Sequence, residues 1–134
     1  MVKGSWIYVG GRAGAKVPAV EKAVITAACE KLIAEVLTPR FLPTVRPTEF
    51  NYPIRLYGKW HGNKYRFIVR FRSDRADAIE PEFEAPFARL DYVSRDRFDL
   101  CYRRYTGEWL RLYGPVGLNE ALDLIGSDDH FQPC

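Results

Sequence analysis

Arg66, Arg70 and Arg72 alternate with Tyr65, Phe67, Val69 and Phe71 in the middle of the chain. With Arg55 before them, Arg103 after them and Arg89 as a further candidate, they would gather guanidinium groups on one surface. Such a surface suits phosphate or carboxylate, and with Tyr57 and Tyr105 nearby it could also stack bases. Asp91 and Asp99 fall among these arginines, and arginine alternating along a strand is also an ordinary way to keep a sheet soluble. A second group is Glu80, Glu82 and Glu84. Spaced by two on an extended segment, these carboxylates share a face. They could do acid-base work in a pocket with Arg70 and Arg72 at a sheet edge, or pair with Arg70, Arg72 or Arg89 across strands. Cross-strand pairing is the simpler expectation.

The remaining candidates support less chemistry. Asp128, Asp129, His130 and Cys134 offer ligand types for a transition metal, but a structural zinc site needs four ligands in fixed geometry. The other histidine, His61, falls in a predicted turn. No metal and no cofactor is expected, and no serine, histidine and acid constellation stands out for hydrolysis. GGRAGAKV at 10–17 fails the phosphate-loop pattern, with Ala15 before the lysine and Val17 where a hydroxyl should be. Three cysteines, Cys29, Cys101 and Cys134, lack Cys-x-x-Cys spacing, and an odd count suits reduced thiols. Cys29 in a helix and Cys101 in a strand read as small, partly buried residues.

The elements that must position these groups are legible as periodicities. Pro18 suits a first helical position, and Val20, Val24, Ala28 and Leu32, flanked by Ile25, Cys29, Ile33 and Val36, make a broad apolar stripe. That predicts an amphipathic helix of about five turns, ended by Pro39. Phe41 to Pro53 reads as an extended, proline-rich connector. Ile54, Leu56 and Trp60 then lead through Gly62-Asn63, a tight-turn pair, into the arginine strand as a hairpin. Asp74 to Glu84 reads as an acidic loop or irregular edge.

A three-strand meander follows, with Ala88, Leu90 and Tyr92, then Phe98, Leu100 and Tyr102, then Trp109, Arg111 and Tyr113 each expected on one face. Its turns fall at Ser94 to Asp96 and at Thr106-Gly107. Leu118, Ala121, Leu122 and Ile125 form a short helix expected on the same side as the first. The predicted fold is α+β, a two-layer sandwich with an N-terminal helix, a mostly antiparallel sheet of about five strands and a short C-terminal helix. The place of Ile54 to Trp60 relative to Glu108 to Tyr113 stays open, because hairpins fix neighbours only.

The chain has 134 residues, with 47% hydrophobic and 14% aromatic content, within the range of one globular domain rather than a disordered chain. We expect residues 1–16 to be loosely ordered and 17–134 to form a single α+β domain. The net charge of +3 is unevenly spread. Seven basic residues lie between Arg55 and Arg75 against one acid, Asp74, whereas Glu120, Asp123, Asp128 and Asp129 follow Tyr113 with no Lys or Arg. The apolar-rich stretch from Val17 to Leu37 is broken by five charges, so it cannot cross a bilayer. The first sixteen residues lack the apolar run of a secretory signal, which makes a cytoplasmic location the expectation.

From Glu21 to Phe131 the order of features resembles the bacterial family catalogued as domain of unknown function number 3024. The features that carry it are the helix, VRP at 45–47 closing a proline-rich connector, EAPFARLDYV at 84–93, GEWLRLY at 107–113 and Asp-Asp-His-Phe at 128–131. Many members carry Trp where this chain has Phe98, and a glycine near the His-Phe pair that is missing here. The resemblance implies no activity, cofactor or catalytic residue. A lesser similarity joins Arg103 to Ile125 to the end of a frataxin-type domain, but Glu21, Glu30 and Glu35, interspersed with lysines, are too few acids for its iron-binding surface.

These residues point to a small binding or interaction module rather than an enzyme. Its working surface would comprise Arg55, Arg66, Arg70, Arg72 and Arg103, with Glu82 and Glu84 occupying or regulating it. The expected partner is a protein or a second copy of the chain, with nucleic acid as the alternative and no role for a membrane.

Overall fold

In a computed structural model of the chain, residues 15–133 are described. The expectations for the first fourteen residues, most of the glycine stretch among them, and for Cys134 lie outside the described residues. A helix, α1 (Ala19–Leu32), runs on through a π turn at Ile33–Leu37 into a last turn, α2 (Thr38–Phe41). Pro39 therefore does not end the helix. The Thr38 amide reaches back five residues to the Ile33 carbonyl, and this wider turn leaves room for the proline ring directly after it. Pro18 also sits one position earlier than expected, as the N-cap, where its carbonyl accepts from the Lys22 amide at 2.8 Å.

Five strands follow: β1 (Tyr52–His61), β2 (Lys64–Arg72), β3 (Glu82–Ser94), β4 (Arg97–Arg103) and β5 (Trp109–Val116). They form one antiparallel sheet in the order β1-β2-β3-β4-β5, so β1 and β5 are opposite edges. β1 starts earlier than predicted and includes Pro53, which an edge strand tolerates because its outer amides need no partner. The β1–β2 hairpin turns at Gly62, whose φ of 63° is open to glycine at little cost. β3 also starts earlier than predicted. Glu82 and Glu84 are strand residues, not loop residues. A short helix, α3 (Leu118–Ser127), and a 3₁₀ turn at Asp129–Phe131 complete the described chain.

The helices cover one face of the sheet, giving the two-layer α+β arrangement. Ile25, Cys29, Ile33 and Leu37 meet Leu56, Tyr65, Phe67, Val69, Leu90, Tyr92, Phe98 and Leu100, with Ala121, Ile125 and Phe131 closing the core. Each fully buried large side chain contributes about 1.5–3 kcal/mol over its exposed state. The apolar stripe of α1 is narrower than its sequence suggests, since Val20 and Val24 are 79% and 59% exposed. Two polar ties hold the layers together, Trp60 Nε1 to Thr26 Oγ1 at 2.7 Å and Tyr92 Oη to Glu21 at 2.8 Å, and a third, Arg40 to the Gly126 carbonyl at 2.7 Å, joins the helices within their layer. Gly58 faces the core where a β-carbon would overlap the Tyr65 hydroxyl, so only glycine lets that ring lie flat across β1.

Candidate anion-binding face

The opposite face of the sheet carries the arginines. Alternation alone puts them there, because each stands one residue from a core-facing aromatic or aliphatic side chain. The register then sorts them. Arg70 lies opposite Glu84 and Arg72 opposite Glu82 across β2 and β3. Arg70 donates from Nε to Glu82 at 2.7 Å, and Arg72 donates from Nη2 to the other oxygen of Glu82 at 2.9 Å. Glu84 accepts from the Tyr57 hydroxyl and lies 3.5 Å from both Lys59 Nζ and Arg70 Nη1. The hydrogen bonds from Arg70 and Arg72 hold the Glu82 carboxyl below its usual range, and Tyr57, against some desolvation, does the same for Glu84. Arg55 stands at the margin of this group with its guanidinium 4.8 Å from the Tyr57 ring. Glu80 remains in the loop, exposed.

β2 and β3 are interior strands, so the glutamate and arginine group does not sit at a sheet edge as the enzyme alternative requires. Its carboxylates are shifted down, the reverse of what a general acid needs. They line none of four cavities that open beside α1, at the β1–β2 turn, between α1 and β1, and at the C-terminal end of the core.

A different environment surrounds Arg66. Lys59, Arg66, Arg89, Cys101 and Arg111 lie directly opposite one another, strand by strand, in a row across the whole sheet. Arg89 is 3% exposed and makes a bidentate pair with Asp91, Nε at 2.7 Å and Nη2 at 2.9 Å. Burial alone would pull its guanidinium down, and the Asp91 carboxylate together with Cys101 more than offsets this. Asp99, fully buried, stands 3.7 Å from Arg111 Nη1. The Cys101 thiol beneath them is pushed up to about 12 by burial and by Asp91, so it stays protonated and unreactive. Trp109 completes the group, its ring 4.8 Å from the Arg89 guanidinium and 6.0 Å from that of Arg103.

Arg66 is the strained member. It faces Arg89 directly, and its buried Nε has no hydrogen-bond partner. Desolvation first, then the like charges of Arg89 and Arg103, lower its affinity for a proton, with Asp91 opposing in part. Arg103, exposed, is the second guanidinium on this side, beside Trp109.

The profile of the family described as Domain of unknown function (DUF3024) matches residues 17–133. The chain belongs to this family. The DUF3024 match spans both arginine groups and Trp109. No curated protein and no solved structure matches the chain, and the similarity of Arg103 to Ile125 to a frataxin-type end is not shown.

Of the sequence candidates, Arg70, Arg72, Glu82 and Glu84 come together in one group and Arg66 and Arg103 in another, with Arg55 at the margin of the first. Trp109, Arg111 and Tyr113 do not share a face as expected. Register shifts between Phe98 and Cys101 turn Tyr113 towards the helices, where its ring packs on Phe131 and its hydroxyl meets Asp128. Trp109 and Arg111 stay with the arginines. The missed signal was the pair Arg103 and Trp109 flanking the short Thr106-Gly107 turn, which makes them direct partners. Asp128 is engaged by Tyr113 and His130, and among the described residues no metal-binding cluster of His, Cys, Asp and Glu is present. No helix among the described residues is long and apolar enough to cross a membrane.

Proposed function

We propose that this DUF3024 protein is a cytoplasmic binding module whose helix-free sheet face receives an anionic partner at Arg66 and Arg103, beside Trp109. The observation that carries this reading is the Arg66 guanidinium, held among two other arginines with a buried, unpartnered Nε. Folding gains nothing from such a group, because an unmet buried donor and an opposed like charge both cost stability. An anion at the outer nitrogens of Arg66 and Arg103 would offset the opposed charges. The cytoplasmic part of the proposal rests on Cys29 and Cys101, both free thiols. Arg70 and Arg72, already matched to Glu82 and Glu84, play a supporting part.

Retention on phosphocellulose tests this. Two double variants, Arg66→Ala/Arg103→Ala and Arg70→Ala/Arg72→Ala, remove the same formal charge. The first should elute at clearly lower salt than the wild type and the second close to it. Equal losses from both would mean that the protein is retained by net charge alone, and would overturn the proposal.

A further inference from the structure

We infer that the ligand of this face is single-stranded nucleic acid. The inference rests on the anion-binding proposal and adds the kind of polyanion. Three features of the surface select it.

The first is the row of basic side chains. Lys59, Arg66, Arg89 and Arg111 stand on four of the five strands, with Cys101 between the last two, a span of roughly 19 Å at about 4.8 Å per strand. That is wider than the major groove, about 12 Å, into which a helix or a two-stranded ribbon fits. The sheet face therefore cannot enter a duplex to meet base edges, whereas an extended single strand can lie across it.

The second is the interleaving of guanidinium with aromatic rings. Arg55 lies over Tyr57, Arg89 and Arg103 flank Trp109, and Arg104 lies 5.8 Å from the Tyr105 ring. Tyr105 is 95% exposed, at the turn that carries the chain from Arg103 to Trp109. A tyrosine so exposed adds little to the core, but it offers a stacking platform two residues along the chain from Arg103, in the turn that leads to Trp109. Phosphates would be met by Arg66 and Arg103 and bases by Tyr105 and the accessible part of Trp109, the division of labour found where single strands are bound without sequence preference. A carboxylate-bearing partner would use the guanidiniums and leave the rings idle.

The third is shape. Of four cavities in the described structure, the one between the helix and β1 reaches the margin of this face at Arg55 and Tyr57, and none of the four is lined by Arg66, Arg103 or Trp109. The arginine face suits an extended ligand laid along it rather than a small molecule enclosed by it.

Fluorescence anisotropy decides the matter. The probe is a labelled oligothymidylate of about ten nucleotides, within the range of single-strand sites. It is compared with a duplex of the same length, and inorganic polyphosphate and polyglutamate serve as competitors. We expect the single strand to bind about tenfold more tightly than the duplex. Tyr105→Ala should weaken it about five- to tenfold, the loss of one stacked base, and leave the affinity for polyphosphate unchanged. Arg66→Ala/Arg103→Ala should lower the slope of log affinity against log salt by about 1.4, two phosphate contacts on a single strand.

If polyphosphate displaces the oligomer as its charge predicts and Tyr105→Ala has no effect, the anion site stands and the nucleic-acid inference falls. Polyglutamate competing as well as polyphosphate would overturn the inference in favour of an acidic protein. If no polyanion binds at low salt, the inference and the proposed function fall together.

Discussion

Arg66 and Arg70 leave the same strand, on the same face, four residues apart, yet the register gives them opposite partners. Arg70 meets Glu84 across β2 and β3 and binds Glu82 beside it, while Arg66 meets Arg89. At the first end, opposite charges pair across strands, a contact worth roughly 0.2–1 kcal/mol, and at the second, like charges directly opposed detract. The matched end describes itself as structure: half-buried, neutralised, and complete without a ligand. The unmatched end is held in place from below by the buried Arg89–Asp91 pair and from the side by Trp109. The difference teaches that an arginine is informative by what it lacks. Period assigns these side chains to a face, and only the register shows which of them the fold has left unmatched.

Breaking the support of the unmatched end should have the largest effect. Asp91→Ala leaves the Arg89 guanidinium, 3% exposed, without the carboxylate that holds it through two hydrogen bonds. Removing one partner of a buried pair costs about 3–5 kcal/mol. Urea denaturation should show the midpoint falling accordingly, and an unchanged midpoint would mean that Arg89 is satisfied without Asp91. Arg66→Met tests the other side of the comparison. It keeps the side-chain stem and removes a charge that the like charges of Arg89 and Arg103 disfavour and Asp91 offsets only in part, so stability should hold or rise by up to about 1 kcal/mol while retention on phosphocellulose drops. A stability loss of about 2 kcal/mol or more would show that Arg66 is structural after all.

The sequence made the faces legible and the partners illegible. Phe67, Leu90, Phe98 and Leu100 announce the core by strict alternation, and all four are buried. The same alternation set Arg66, Arg70 and Arg72 together as one surface, although two of them are neutralised and one is not. What separates them is the register of β3 against β2, which shifts between Phe67 and Ile68. A bulge adds one residue to one strand and reverses which side chains face each way beyond it, and its one mark in EAPFARLDYV is Pro86, beside the shift, a residue that fits an edge strand or a strand start as well as a bulge. The same cause moved Tyr113 away from Trp109. Pro39 misled for a related reason, because a π turn placed directly before a proline can carry the helix on where propensity alone says it stops. The position of β1 on the far edge from β5 depended on contacts across the whole sheet, which local pattern does not encode.

The smallest expected effect concerns the matched end, and it sharpens the comparison most cleanly. Glu82 lies below its ordinary value of 4.5 in the folded protein because Arg70 and Arg72 donate to it, so it adds to stability above the unfolded value and loses this as pH falls through the folded one. Thermal denaturation between pH 6 and pH 3 should therefore show the wild type losing its advantage over Glu82→Gln below about pH 4.5, with Glu84, held low by Tyr57, keeping part of the wild type's own decline in both proteins. At neutral pH the wild type's advantage is present in full but small, since the half-buried group and its ion pairs are screened by solvent. The change in binding is the more telling readout. Glu82→Gln frees Arg70 and Arg72 from their shared carboxylate, and should move elution from phosphocellulose to higher salt, by more than a one-charge substitution far from this face does. If both substitutions shift it equally, the two ends of the face differ only in charge count, and the contrast drawn from the register loses its functional meaning.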